Sequence, residues 1–191
     1  LHRPCSQGGG MTHMAALSPR TGTRFALNPD LDLDALADCY ARTGRVRVYG
    51  FLAEGALDLH DHLRQRDDWI QVIHAPGAPI ELTRTQRDAM GTKRQARIEQ
   101  GVRQRGRDGF QYRYEALRVP EPEEPLDSDD LLSPLARFLH GDAMLSLIKR
   151  ITGQAPHRFI NGQATSYGVG DFLTGHDDNA AGENRMAAFV L

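Results

Sequence analysis

The chain has 191 residues and a formal net charge of −2, which indicates one domain without a general attraction to nucleic acid or acidic lipid. Its composition is that of an ordinary globular protein, and no apolar run is long enough to span a membrane. The two cysteines, Cys5 and Cys39, form neither a metal-type spacing nor a disulfide framework. We therefore expect a cytoplasmic protein from a reducing compartment, without membrane or nucleic-acid partners.

The first residues carry few structural signals. Residues 1–24 include three consecutive glycines and lack the apolar stretch of a secretory signal. We expect residues 1–24 to form a disordered leader and residues 25–191 to form the single domain.

The first helix has candidate signals at both ends. Leucines recur at helical spacing in residues 32–40, with Asp30 or Asp32 as candidate N-cap and Gly44 as candidate end. The alternation that follows, in residues 45–51, predicts a half-buried strand.

Helices and strands are then predicted in turn. Residues 56–63 predict a helix and residues 69–73 a short strand, followed by a proline-rich turn at residues 75–79. Residues 84–107 hold eight Lys or Arg, which predicts one or two exposed helices interrupted at Gly91 and Gly101. Residues 110–114 alternate aromatic and polar side chains and predict a strand. We expect Trp69 and the aromatic side chains at positions 110, 112 and 114 to lie in the core; the alternative is a platform that contacts the substrate.

Strands dominate the last part of the chain. Residues 120–130 are acidic and rich in proline, which predicts a loop whose charge compensates the basic stretch. Residues 134–139 and 142–151 predict helices that supply core leucines. Strand patterns follow at residues 159–160, 163–167, 172–173 and 185–191. This order predicts an α+β fold whose β core begins near residue 157.

A histidine and a carboxylate lie two residues apart after a glycine-rich turn. On an extended chain His176 and Asp178 project to the same side, whereas Asp177 points away. Imidazole and carboxylate ligands with open positions suit iron(II), for which a second histidine completes a facial triad. We therefore interpret His176 and Asp178 as metal ligands. The alternative is a loop histidine and a turn aspartate.

The segments around this triplet occur in a characteristic order. Residues 163–167 precede a glycine-rich turn, Asp171-Phe172-Leu173 and the His-x-Asp triplet, and an arginine with an apolar strand follows at residues 185–191. This order resembles the prolyl-hydroxylase branch of the iron(II)- and 2-oxoglutarate-dependent oxygenases. The resemblance covers roughly residues 25–191, and its motifs lie in residues 163–191.

The resemblance implies a fold, a site and a reaction. The implied fold has N-terminal helices packed on an incomplete double-stranded β-helix of the jelly-roll or cupin type. Fe(II) would be held by His176 and Asp178, the Tyr167 hydroxyl would contact the carboxylate of 2-oxoglutarate, and ascorbate would be an accessory reductant. The implied reaction uses dioxygen to hydroxylate an unactivated C–H bond of free or peptidyl proline.

Members of this family continue into further strands beyond the apolar one. Those strands carry a distal histidine ligand and an Arg or Lys that pairs with the far carboxylate of 2-oxoglutarate. This sequence ends at Leu191 and lacks both, so we expect unpaired sheet edges, poor solubility and weakened iron binding. The other histidines that could complete the triad all precede the motif: His74, His140 and His157.

A second class of function is also open. The basic stretch at residues 84–107 could contact RNA phosphates or an acidic protein in a catalytically inactive binding module. The simpler interpretation is a solvated helical face, because no aromatic side chains for base stacking are interleaved. For Tyr167, the alternative to co-substrate contact is a place in the core.

Overall fold

The computed structural model describes residues 24–121, 130–154, 160–176 and 187–191. Within these ranges the chain forms six helices and seven strands, and every strand pair is antiparallel. The predicted α+β class is therefore confirmed. Among the described helices, none is long and apolar enough to cross a membrane. The predicted leader lies outside the described ranges, except for its last residue.

The helices follow the amphipathic patterns of the sequence. They are α1 (Leu33–Thr43), α2 (Ala56–Gln65), α3 (Arg84–Asp88), α4 (Thr92–Asp108), α5 (Leu132–Leu139) and α6 (Asp142–Thr152). At the start of α1, the Asp32 carboxylate accepts a hydrogen bond from the Ala35 backbone N–H at 3.0 Å. Gly44 adopts a left-handed conformation, with φ of 67°, that ends the helix. Asp32 is thus the N-cap, and Gly44 ends the helix as predicted.

The strands form a small ribbon and a larger sheet. They are β1 (Ala26–Leu27), β2 (Leu52–Glu54), β3 (Ile70–Ile73), β4 (Ile80–Thr83), β5 (Tyr112–Arg118), β6 (Gln163–Ser166) and β7 (Phe172–Leu173). Strands β1 and β2 form the ribbon, and the larger sheet has the order β4-β3-β5-β6, with β7 also paired to β5. Strand β5 is therefore central, with β3 along one side and both β6 and β7 along the other.

One hydrophobic core joins the helices to the sheet. Trp69, just before β3, and Leu117 of β5 belong to a buried cluster with Phe25 and Val119. Helices α5 and α6 supply the rest of this cluster: Leu132, Leu135, Ala136, Leu139, Met144, Leu147 and Ile151. Burial of each large apolar side chain contributes ~1.5–3 kcal/mol to stability. The two helices predicted to supply core leucines therefore do so.

Two predicted strands are wrong within the described residues. Residues 45–48 have no strand structure, although Val46 and Val48 pack against the core. Strand β1 pairs with β2, which follows residues 45–48 in the sequence, and not with those residues themselves. Residues 187–191 also form no strand. Neither segment is paired with another strand in the described ranges, and an alternating or apolar pattern forms a strand only where a neighbouring strand offers hydrogen-bond partners.

The basic helical stretch breaks once rather than twice. Gly91 separates α3 from α4 as predicted, but Gly101 lies inside α4. A glycine within a helix costs about 1 kcal/mol relative to alanine. Burial of the adjacent Val102, which is the buried residue of this helix, offsets that cost.

Asp130 links the end of α2 to the start of α5. Its carboxylate lies 3.0 Å from His62 Nε2 and 2.7 Å from Arg66 Nη1, and it accepts a hydrogen bond from the Leu132 N–H at 3.0 Å. Burial acts to raise the pKa of the Asp130 carboxyl. The hydrogen bonds and the charge of Arg66 outweigh burial and hold this pKa below its ordinary value of 3.8.

We expect Asp130→Asn to lower the free energy of unfolding at neutral pH by ~1–3 kcal/mol, because it weakens these contacts. The folded-state pKa is depressed, so the carboxylate stabilises the protein above pH 3.8 and loses this effect as the pH falls through the folded-state pKa. Urea unfolding across the acid range measures the effect, with exposed Asp67→Asn as the control. If the free energies of unfolding of wild type and Asp130→Asn still differ by the same amount at the lowest pH, this assignment is contradicted.

Candidate functional site

Side chains of β5 alternate between the two faces of the sheet. Leu117 belongs to the core, and Glu115 binds Arg87 of α3 at 2.6 Å, so both lie on the face that the helices cover. Tyr112 and Tyr114 therefore project from the opposite face. Both tyrosines are half-buried.

A connected row of ring contacts lies on this opposite face. Neighbouring ring centroids are 5.0 to 5.7 Å apart. We call this the aromatic row, and its members are His74, Phe110, Tyr112, Tyr114, Tyr167 and His176. Tyr167 is 51% exposed and Phe110 is 46% exposed. The expectation that the aromatic side chains of residues 110–114 lie in the core is therefore wrong, because they project from the less covered face, whereas Trp69 is buried as expected.

Two phenols of the aromatic row have raised pKa values. Burial raises the pKa of Tyr112, and the nearby Tyr114 and Glu81 raise it further. Burial likewise raises the pKa of Tyr167, with smaller effects from Tyr114 and Asp171. Both hydroxyls are therefore protonated at neutral pH and can donate hydrogen bonds. The row thus combines apolar rings with hydrogen-bond donors.

Tyr167 begins a loop that interrupts the pairing along β5. Strands β6 and β7 pair with residues 115–118 and 112–113 of β5. The five residues between them, 167–171, therefore stand opposite the single residue Tyr114. We call residues 167–171 the Tyr167 loop. The rings of Tyr167 and Tyr114 are 5.4 Å apart.

The Tyr167 loop closes on itself in a β-turn. The Asp171 N–H donates to the Gly168 carbonyl at 3.1 Å, and the Gly168 N–H donates to the Asp171 carboxylate at 2.9 Å. Gly170 is the third residue of this turn, with φ of 85°, a conformation that favours glycine. Arg113 of β5 donates to the Asp171 carboxylate at 2.9 Å and to the Gly170 carbonyl. The turn is therefore tied to the central strand.

His176 follows β7 and is anchored through Thr174. The Thr174 N–H donates to the Gln111 carbonyl at 3.0 Å, and the Thr174 hydroxyl accepts from the Gln111 N–H at 2.9 Å. The Nδ1 atom of His176 lies 3.1 Å from the Thr174 carbonyl oxygen. A neutral imidazole that donates from Nδ1 carries its lone pair on Nε2. Metal-bound histidines are commonly oriented by a backbone carbonyl in this way, so the arrangement fits a ligand.

The carboxylate predicted to share a metal with His176 lies outside the described ranges. Asp178, the excluded neighbour Asp177 and the candidate third ligand His157 are all among those residues. Within the described ranges, no three His, Cys, Asp or Glu side chains are grouped closely enough to hold a metal ion. The His-x-Asp pairing therefore stays a prediction.

The two other histidines considered as third ligands have different environments. His140 ends α5, with Nδ1 at 2.9 Å from a carbonyl of that helix and Nε2 at 3.3 Å from the Ile160 nitrogen. Both of its ring nitrogens therefore serve the helix end and the segment that follows. His74 packs against Phe110 at 5.0 Å, the ring that His176 also contacts. His74 thus shares the aromatic row with the candidate ligand.

The basic stretch forms α3 and α4. In α3, Arg84 and Arg87 bind Glu115 at 3.3 and 2.6 Å. The basic side chains of α4 are exposed, and in the described part of the chain Arg103 alone among them forms an ion pair, with Glu99. This exposure agrees with the simpler interpretation of a solvated helical face.

Sequence reasoning assigned no role to Arg113 or Asp171. An arginine between two tyrosines of a strand must face away from both, toward the covered side of the sheet, where it needs an acidic partner. That signal was present in the sequence. The identity of the partner was not, because the two residues lie 58 positions apart.

Comparisons with protein-family models, with curated proteins and with solved structures gave no match. The geometry of the aromatic row and the resemblance of the motifs are therefore the two grounds on which a function can be proposed.

We expect Gly170→Ala to lower the free energy of unfolding by ~1–2 kcal/mol, the cost of a side chain in a left-handed conformation. An added Cβ would also lie 2.8 Å from the Arg113 guanidinium, which its hydrogen bonds hold in place. Gly168→Ala is the matched control in the same turn. Gly168 does not have a positive φ, and an added Cβ would lie 3.4 Å from its nearest atom, an ordinary contact distance. Thermal and urea unfolding measure both variants. Equal effects of the two substitutions would contradict the described turn.

Proposed function

We propose that this chain is part of an Fe(II)- and 2-oxoglutarate-dependent dioxygenase of the prolyl-hydroxylase type. Its larger sheet would be the first part of a double-stranded β-helix. One observation carries the proposal: Tyr167 and His176, which the motif singles out, lie in the same aromatic row on one face of the sheet. Each is held next to β5 by its own hydrogen bonds.

His176 and Asp178 would hold the iron, together with a histidine from outside this sequence. The support is the contact between His176 Nδ1 and the Thr174 carbonyl, which favours a lone pair on Nε2. When bound, iron with 2-oxoglutarate and dioxygen supplies the oxidising chemistry that hydroxylates an unactivated C–H bond, and ascorbate would keep the metal reduced. The protein would contribute binding, orientation and exclusion of water.

Tyr167 would donate a hydrogen bond to a carboxylate of 2-oxoglutarate. The pKa of the Tyr167 phenol lies above its ordinary value of 10.0, so the hydroxyl carries its proton at neutral pH and can donate. Tyr114 packs against one side of the Tyr167 ring, so the donor lies on a partly apolar surface. A hydrogen bond to an anion is stronger on such a surface than in open water.

The substrate would be free or peptidyl proline. The rings of Phe110 and Tyr112 offer an apolar surface beside His176, with centroids 5.7 Å apart. The pyrrolidine ring of proline is apolar in both forms. A peptidyl proline also has no backbone N–H, so this form can lie on aromatic rings without leaving a donor unpaired.

We expect Mn(II), a redox-stable substitute for Fe(II), to bind the purified chain at His176. Paramagnetic broadening of NMR signals detects weak binding, and it should be strongest at Gly175 and His176 and extend to the Tyr167 ring. Addition of 2-oxoglutarate should strengthen the binding. His176→Ala should remove the broadening, because it removes the imidazole ligand.

The matched control is His60→Ala, which removes an exposed histidine from α2. This variant should bind Mn(II) as the wild type does. Broadening that survives His176→Ala, or that is centred away from the aromatic row, would contradict the proposed function.

A further inference from the structure

Two neighbouring stretches of β5 hold the two candidate site residues separately. The backbone of Gln111 exchanges hydrogen bonds with Thr174, whose carbonyl contacts His176. Arg113, two residues further along β5, binds the end of the Tyr167 loop. The positions of His176 and Tyr167 therefore depend on different contacts.

The contact between Arg113 and Asp171 is an almost buried ion pair. The two side chains are 11% and 10% exposed, and Arg113 Nε lies 2.9 Å from the Asp171 carboxylate. Glu99 of α4 lies 3.9 Å from the same guanidinium, which places this pair toward the helix-covered side of the sheet. A charged side chain that is almost buried is costly without a partner of opposite charge. Arg113 and Asp171 therefore each restrict the position of the other.

Each polar group of this pair has a separate function in the loop. One carboxylate oxygen of Asp171 accepts from Arg113, and the other accepts from the Gly168 N–H. The second nitrogen of the guanidinium donates to the Gly170 carbonyl. These contacts fix three of the five residues of the Tyr167 loop, and the loop has only Tyr114 of β5 opposite it.

We propose that Arg113 is a positioning residue which, through Asp171, holds the Tyr167 ring against Tyr114 and so aims its hydroxyl at the co-substrate. The role of Tyr167 in this proposal rests on the proposed function. Arg113 acts from the opposite face of the sheet and does not touch the co-substrate. His176 keeps its own anchor, so loss of the ion pair releases Tyr167 and leaves His176 in place.

The first experiment needs neither metal nor co-substrate. In the full chain, nuclear Overhauser effects are measured between the rings of Tyr114 and Tyr167, and between those of Phe110 and His176. Asp171→Asn and Arg113→Met should both lose the first contact and keep the second. Asp171→Asn preserves side-chain shape, so it serves if Arg113→Met fails to fold.

The matched control is Arg103→Met, which breaks an exposed ion pair with Glu99 on α4. This variant should keep both ring contacts. If Asp171→Asn keeps the contact between Tyr114 and Tyr167, the positioning proposal is overturned, whatever the protein binds. Loss of both ring contacts would also overturn it, because the ion pair would then support the sheet edge in general.

The second experiment measures the Kd for 2-oxoglutarate in the presence of Mn(II). Tyr167→Phe and Asp171→Asn should each raise this Kd about three- to tenfold, the loss expected for one hydrogen bond. The double variant should be no weaker than either single one, because Asp171 acts through Tyr167. Additive losses would contradict the positioning role. Failure of the wild type to bind 2-oxoglutarate would contradict the proposed function instead, and the ring contacts would still decide the role of Arg113.

Discussion

The alternation of side chains along β5 determines where every part of the candidate site lies. One face of this strand contributes Leu117 to the core and Glu115 to the ion pairs with α3. The other face carries Tyr112 and Tyr114 of the aromatic row. A slip of one residue would exchange the two sets, exposing the core leucine and burying the phenols. Because β5 pairs with β3, β6 and β7 together, the core and the site share one register.

Contacts made by β5 and the residue before it also hold His176 and the Tyr167 loop in place. Gln111 is fully buried and its backbone fixes the segment that leads to His176. Arg113 reaches the Tyr167 loop from the covered side of the sheet. The face that carries the aromatic row can therefore stay accessible, since Arg113 and Asp171 meet toward the covered side of the sheet. The aromatic row on one face of the sheet and the nearly buried ion pair of Arg113 and Asp171 toward the other face are the physical basis of the proposed function.

Local signals predicted the helices better than the sheet. Asp32 and Gly44 cap α1 through contacts within a few residues, so the sequence nearby was sufficient. The sequence did not predict β4, because this short strand depends on pairing with β3. In the site, the local spacing of the His-x-Asp triplet indicated His176, and the resemblance of the motifs implied a role for Tyr167. The pair of Arg113 and Asp171 joins distant segments, so only the folded chain shows it.

The proposed function requires that His176 and Asp178 face one cation beside the aromatic row. A crystal structure of the protein grown with Mn(II) tests it most directly, because anomalous scattering locates the metal independently of the protein atoms. We expect one strong peak at bonding distance from His176 Nε2 and a carboxylate oxygen of Asp178. Side chains that diverge around no peak, or a peak that lies elsewhere, would contradict it.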